Sequence, residues 1–391
     1  MAQELDIREL KRHRRNKKRK RLLKKMLAVL LLLLVGILVY ITRERWIPFF
    51  DGIATRYLPT SANDGELAQG NFPIEISGFS DYKVGVMDNA FAVLNETNFA
   101  LYSPDGKKLV DNQHNYSRPV LHSNNRKALI YDIGGVEFRL ESKYKTVYTK
   151  KMDNSILLAR LSDGDKVAVV TASDNAICDL TIFDGYGEQI YKAKFYERIL
   201  DVTFSASNEG CLITALDSSG GQLVSRLERY SFTKDQPVWT SSNLDTLVLA
   251  TRFRNDGSIV AIGDTKAFTC DNKGEVTGSY TYESQLIDYV DSGSMTALLF
   301  ANEERRRSGL VLFSDIDSSL KEVTLEENAK RLHLNEDKVL VMTDRQIYEY
   351  TSAGTVQTDV DIGDMYTDFR KLSRYIFLLG DSEINRIDFA G

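Results

Sequence analysis

FTCDNKGEVTGSY, residues 268–280, decides the fold. It is an apolar strand, a tight turn of Asp, Asn and Gly, and a second strand, the local signature of a β-hairpin. The pattern returns as LYSPDGKKLV (101–110), TIFDGYGEQIY (181–191) and YEYTSAGTVQTDV (348–360). Its turn glycines, Gly106, Gly187, Gly274 and Gly354, lie 81, 87 and 80 residues apart. Each interval is about twice a unit of ~40 residues, the length of a four-stranded propeller blade. The intervening units are less regular: VEFRLESKYKTVYT, SRLERYSFTKDQPVWT and LVLFSDIDSSLKEVTL.

A second marker carries the same period. An aspartate follows the second strand of most units: Asp132, Asp174, Asp217, Asp264, Asp344 and Asp381. The spacings are 42, 43, 47, 80 and 37, and the long step spans a unit that holds the loop ANEERRRSG instead. Units starting near Tyr82, Pro119, Ser155, Arg198, Thr246, Leu286, Ala329 and Met365 give eight blades. Seven is the alternative, should one weak unit be an insertion. No stretch beyond residue 71 has a long helical period, so residues 72–391 read as one all-β propeller. The last unit has three strands, and FPIEIS (72–77) supplies its fourth. Closure of this kind removes open sheet edges.

Before the propeller the chain changes character. Residues 1–25 form a basic tail with twelve Lys and Arg against three acids, although the whole chain carries a net charge of −5. Residues 26–42, opening MLAVLLLLLVGILVYI, read as a transmembrane signal anchor, and 43–71 as a juxtamembrane linker. A cleaved signal peptide is the rival reading, but no A-x-A-like site follows the apolar run. Sixteen apolar residues rise about 24 Å, slightly less than a hydrocarbon core. Lys24 and Lys25 on one side and Trp46 on the other are the expected membrane anchors. The cation excess keeps the amino end in the cytoplasm and the propeller extracytoplasmic, at the cell membrane. Anionic lipid is the expected companion of the tail, ahead of nucleic acid.

Repeat length and strand order over residues 72–391 resemble the WD40-like and quinoprotein-like propellers, and the aspartate after the second strand is similar to the turn Asp of WD repeats. The likeness has departures. No Gly-His opens the units and no Trp-Asp closes them. Tryptophan occurs only at 46 and 239, against the tryptophan-docked blades of quinone-dependent dehydrogenases. The layout also resembles membrane-anchored propellers of unknown function in Gram-positive bacteria, which implies location and architecture and no catalysis.

Chemistry-bearing motifs are sparse. The histidines are His13, His114, His122 and His333, with no metal-ligand spacing. Cys178, Cys211 and Cys270 lie in apolar runs, and whether any two pair is open. The Ser162-Asp163-Gly164-Asp165 turn lacks the spaced oxygens of a calcium loop. No G-x-S-x-G or phosphate-binding loop occurs. No catalytic, metal or cofactor residue is therefore nominated.

The candidate binding face is the ring of six aspartates with Arg305, Arg306 and Arg307 of the charged loop. Capping of tight turns is the simpler reading of the aspartates. Tyr116, Tyr196, Tyr282 and Tyr366 mark blade junctions and are candidates for lining a glycan- or peptide-binding face. The function this supports is a membrane-tethered, non-catalytic binding or scaffolding module for a protein or envelope polymer. The alternatives are a hydrolase or lyase with its site in the central funnel, and a sensor whose basic tail binds an anionic partner.

Overall fold

Runs such as Ala90–Leu94, Cys178–Phe183 and Tyr375–Gly380 are buried at every residue. A strand with one wet face alternates, so these must be covered on both faces. Fourth strands such as Lys108–Gln113 and Val356–Asp361 have mostly exposed or half-buried residues and lie at the rim. The computed structural model describes residues 65–76, 82–302 and 307–389, together with Met26 and Leu33, both helical. The basic tail, most of the apolar run, Lys24, Lys25, Trp46, Arg305 and Arg306 lie outside the described residues. Among the described residues no helix is long and apolar enough to cross a membrane.

Among the described residues thirty-two strands form eight four-stranded antiparallel sheets. Blades 1 to 8 begin with the strands Lys83–Met87, Pro119–Ser123, Ile156–Leu161, Arg198–Phe204, Val248–Phe253, Leu286–Asp291, Ala329–Asn335 and Tyr366–Leu372. Eight is the count expected from the repeats. In blades 1 to 7 the four strands follow one another in sequence. Blade 8 takes three from the end of the chain and its fourth, Ile74–Glu75, from before blade 1. Ile74 lies opposite Ile384, and Glu75 opposite Glu383. First strands touch the first strands of neighbouring blades, which places them innermost, around the axis.

The two-blade interval seen in the sequence has a packing cause. Gly106, Gly187, Gly274 and Gly354 occupy third-to-fourth-strand corners of blades 1, 3, 5 and 7. Each sits against a residue in or beside the fourth strand of the preceding, even-numbered blade: Phe72, Tyr148, Trp239 and Val323 respectively. At Gly274 the backbone is left-handed (φ +83°), and an added Cβ would lie 2.4 Å from the Trp239 ring. Both the turn and the seam therefore require glycine.

The seam between blades 8 and 1 is held by Arg386, 4% exposed. Its guanidinium lies 4.4 Å from the Tyr375 ring centroid and 5.4 Å from that of Phe72. It donates to the Pro104 carbonyl of blade 1 at 2.9 Å. One side chain thus joins the closing segment, blade 8 and blade 1 through cation–π and hydrogen-bond contacts.

Gly274→Ala combines left-handed strain with the Trp239 clash and should lower stability by about 2–4 kcal/mol in urea unfolding. Gly221→Ala, at φ +84° with nothing within 4 Å, should lose about 1–2 kcal/mol, the left-handed term alone. Equal losses for the two variants would remove the seam from the explanation.

Candidate functional site

In a radial blade of four antiparallel strands, second-to-third corners and blade-to-blade links lie at one end. The other two corners lie at the opposite end. The six marker aspartates therefore share one face, here the link face, but they stand one per blade and are engaged differently. Asp132 accepts from the Arg118 amide at 2.7 Å and Asp264 from the Leu247 amide at 3.0 Å, each tying a corner to the start of its own blade. Asp264 also accepts from the Thr246 hydroxyl at 2.8 Å, and such bonds hold its carboxyl below the ordinary range despite burial. Asp217 pairs with Arg226 at 2.6 Å, and Asp344 with Lys330 at 2.6 Å. Asp174 and Asp381 are exposed. Asn302 and Arg307 close the base of the blade 6 hairpin, whose tip lies outside the described residues.

The face carries more than these carboxylates. Glu96, Asp153, Glu197, Asp245, Glu283 and Asp364 also stand in its corners and links. Among the described corner and link residues the cations are Arg118 and Arg345, and Arg345 lies 3.7 Å from Asp364. From the strands beside them Arg226 also pairs with Glu197 at 3.1 Å, and Lys266 pairs with Asp245. The same face exposes Ile177, Tyr196, Leu223, Leu249, Ile287 and Met365, with Tyr196 at 70% and Met365 at 65%. Leu223 sits at the tip of a blade 4 hairpin with two ten-residue strands, Gly210–Ser219 and Gln222–Ser231. Leu249 and Ile287 stand where the register slips by one residue between the first and second strands of blades 5 and 6. A β-bulge turns its extra residue out of the ladder, which explains why these two apolar side chains are exposed.

The same slip recurs in blades 3 to 8 and resets the phase of each first strand. Around the axis these strands exchange polar bonds. Arg160 of blade 3 donates to His122 of blade 2 at 2.9 Å and to Asp201 of blade 4 at 2.7 Å. The Thr203 and Thr251 hydroxyls join blades 4 and 5 at 2.8 Å. Asp288 of blade 6 accepts the Leu332 amide of blade 7 at 2.8 Å. Asp368 of blade 8 pairs with Arg370 at 2.7 Å and lies 3.9 Å from Arg331 of blade 7. Arg370 reaches the Val84 carbonyl of blade 1 at 3.3 Å.

Burial, helped by Arg160, pulls His122 down to about 3. Its Nε2, facing a guanidinium, is therefore an acceptor. Burial and Arg370 pull His333 down to about 4. Burial raises Asp288. These are the residue types an active site uses, but here His122 is held by Arg160 of blade 3, Asp288 by the Leu332 amide of blade 7, and His333 packs edge-on against Phe369 of blade 8. Among the described residues no three His, Cys, Asp or Glu side chains are grouped to hold a metal ion.

Sequence reasoning missed this belt. Its signal was a charged or polar residue interrupting each apolar first strand, as in LLARL, ILDVTF and TDFRKL. The junction tyrosines have different fates. Tyr196 is exposed, whereas Tyr116 and Tyr366 are buried, so these two do not line a face. His114 contacts the Asn95 carbonyl at 3.0 Å. Asp165 is taken by Asn124 at 2.9 Å, Arg126 at 2.9 Å and Lys127 at 3.5 Å. The three cysteines are free and buried.

The fold defines an eight-bladed β-propeller of WD40-like and quinoprotein-like type. Saccharomyces cerevisiae Sqt1 superposes with a TM-score of 0.61 at 10% identity, covering 82% of this chain and 98% of that one. The C-terminal WD40 domain of Sif2 gives 0.60 at 11% identity, covering 82% and 99%. BamB from Moraxella catarrhalis gives 0.54 at 12% identity, covering 83% and 100%. No curated protein matches the chain in sequence. Residues 71–389 match the family of unknown function DUF5711, and the chain belongs to that family.

A histidine held neutral in the fold but ordinary when unfolded binds more protons in the unfolded state. Its contribution is present above pH ~6.5 and is lost as pH falls toward the folded value. His122 and His333 should each steepen the loss by up to about 1.4 kcal/mol per pH unit between pH 6.5 and 4.5. In urea titrations across this window, His122→Asn/His333→Asn should show a shallower slope than the parent. Parallel slopes would show that these rings titrate normally.

Proposed function

We propose that the protein is a non-catalytic binding module whose link face docks a partner protein through a basic segment with apolar anchors. The observation that carries this is the union, on one face, of exposed apolar side chains with the exposed carboxylates Glu96, Asp153, Asp174, Glu283 and Asp381, which form no ion pair with a described residue. Carboxylates steer a cationic partner into contact, and apolar contacts hold it. The belt's mutual satisfaction supports binding over catalysis. A propeller of similar fold binds a protein segment: Chaetomium thermophilum Sqt1, with a TM-score of 0.58 at 10% identity, is described bound to the N-terminus of ribosomal protein L10.

The proposal includes tethering to the cell membrane by residues 26–42, with the amino end cytoplasmic and the propeller outside. Its support is the uncharged apolar run and the cations massed before it. Lys24, Lys25 and Trp46 are the anchors in this reading, and the tail lies against anionic lipid. An envelope polymer is the second class of partner.

Leu249→Asp/Ile287→Asp should abolish in-cell cross-linking to the partner, whereas Tyr186→Asp, at an opposite-end corner, should leave it intact. Parent-level cross-linking in the first variant would reject the link face as the docking surface. Removing residues 1–42 should shift the protein out of the membrane fraction. Retention there would reject the anchor.

A further inference from the structure

A groove of about 480 Å³ opens between blades 2 and 3, one of about 310 Å³ between blades 6 and 7, and one of about 500 Å³ between blades 4 and 5. All lie within or near the range that takes small ligands, roughly 300–1,000 Å³. The 2/3 groove sets Lys150, Lys151 and Lys192 beside Asp153 and Glu188, so its charges largely offset each other. The 6/7 groove is lined by Tyr348, Tyr350, Glu326 and Glu327, and offers no cation. The 4/5 groove differs from both.

Arg229 lines it, half-buried, with its guanidinium 4.7 Å from the Phe253 ring centroid. Among the described residues the guanidinium has no carboxylate partner and no hydrogen-bond acceptor. The other arginines that tie this propeller together, Arg160, Arg226, Arg254, Arg370 and Arg386, each have a carboxylate within ion-pair range. Burial lowers the Arg229 pKa, with the neighbouring Cys211 acting in the other direction. Its nitrogens stay within reach of water while its plane stacks on Phe253, so the guanidinium is held in place and free to take an incoming anion. Glu209 also lines the groove, but it is exposed and forms no ion pair with Arg229.

The remaining lining sorts into two kinds. Trp239, Phe253 and Val238 form an apolar wall, and Val238 is 52% exposed. Asn255 and Asn272 are exposed, with side-chain amides that bond no other described residue. An apolar wall suits the C–H face of a sugar ring, amides suit ring hydroxyls as donor and acceptor together, and a guanidinium suits a carboxylate.

We propose that the groove between blades 4 and 5 is a binding site for a carboxylate-bearing saccharide, with Arg229 taking the carboxylate. It opens at the first-to-second-strand and third-to-fourth-strand corners, away from the link face, and is independent of docking there.

The test uses full-length protein and two trisaccharides, trigalacturonate and neutral maltotriose, titrated by calorimetry at low salt. Trigalacturonate should bind and maltotriose should not. Arg229→Gln should weaken binding by about tenfold or more, as loss of a charge-assisted bond implies, with Arg229→Lys in between. Asn272→Ala should weaken it by a few-fold through one lost hydrogen bond. Lys150→Gln/Lys151→Gln should leave it unchanged. Unfolding temperatures close to the parent's show that the variants fold, and Arg229→Lys keeps the test valid should Arg229→Gln fail to do so. The proposal is overturned if neither sugar binds, if maltotriose binds equally, if Arg229→Gln has no effect, or if loss follows the lysine pair. It is also overturned if a peptide with a free C-terminal carboxylate, titrated in the same way, binds more tightly than trigalacturonate.

Discussion

Everything in this propeller depends on the stacking of sheet against sheet around a closed ring. A second or third strand that is apolar on both faces is stable only if a neighbouring blade covers each face. Eight blades supply such neighbours only when the first and last also meet. The two-residue strand Ile74–Glu75 and the Arg386 guanidinium perform that last step. An incomplete ring would leave both an unpaired strand edge and two wide apolar sheet faces in water, the two situations β-proteins most need to avoid.

Closure also explains how polar groups are divided between axis and surface. Along the inner strands arginine, aspartate, threonine and histidine from successive blades bond one another although several remain partly open to water. On the link face some carboxylates are taken by turns or ion pairs, and Glu96, Asp153, Asp174, Glu283 and Asp381 stand exposed. The same bulge serves both regions. It turns Leu249 and Ile287 outward, and it sets the phase that brings Asp201, Asp288 and Asp368 to the axis. A one-residue slip inverts every side chain beyond it.

Much of the architecture was legible because its causes are local. A left-handed glycine in a hairpin corner, an alternating strand and an aspartate capping a turn all act within a few residues, so blade number and blade starts followed from spacing. Even the two-blade interval of Gly106, Gly187, Gly274 and Gly354 was visible, although its reason, the side chain of the preceding blade, was not. The axial belt was hidden because Arg160 finds His122 and Asp201 about forty residues away in each direction. A register slip leaves no mark in composition. Arg229 gave no signal either, since what distinguishes it is the absence of a carboxylate that only the fold could have brought near. Tyr196 and Tyr366 read alike as junction residues, and packing alone separated them.

The closing segment has a mechanical consequence. Gly65 and Ala68 donate to the Asp388 and Arg386 carbonyls at 3.0 and 2.7 Å, ahead of the Ile74–Glu75 pairing. Tension applied to the chain before residue 65 therefore enters through the strand that completes blade 8. A few backbone bonds there, backed by Phe72 against Arg386, stand between a pulled thread and an opened ring. Load on that thread therefore reaches the ring first at its closure.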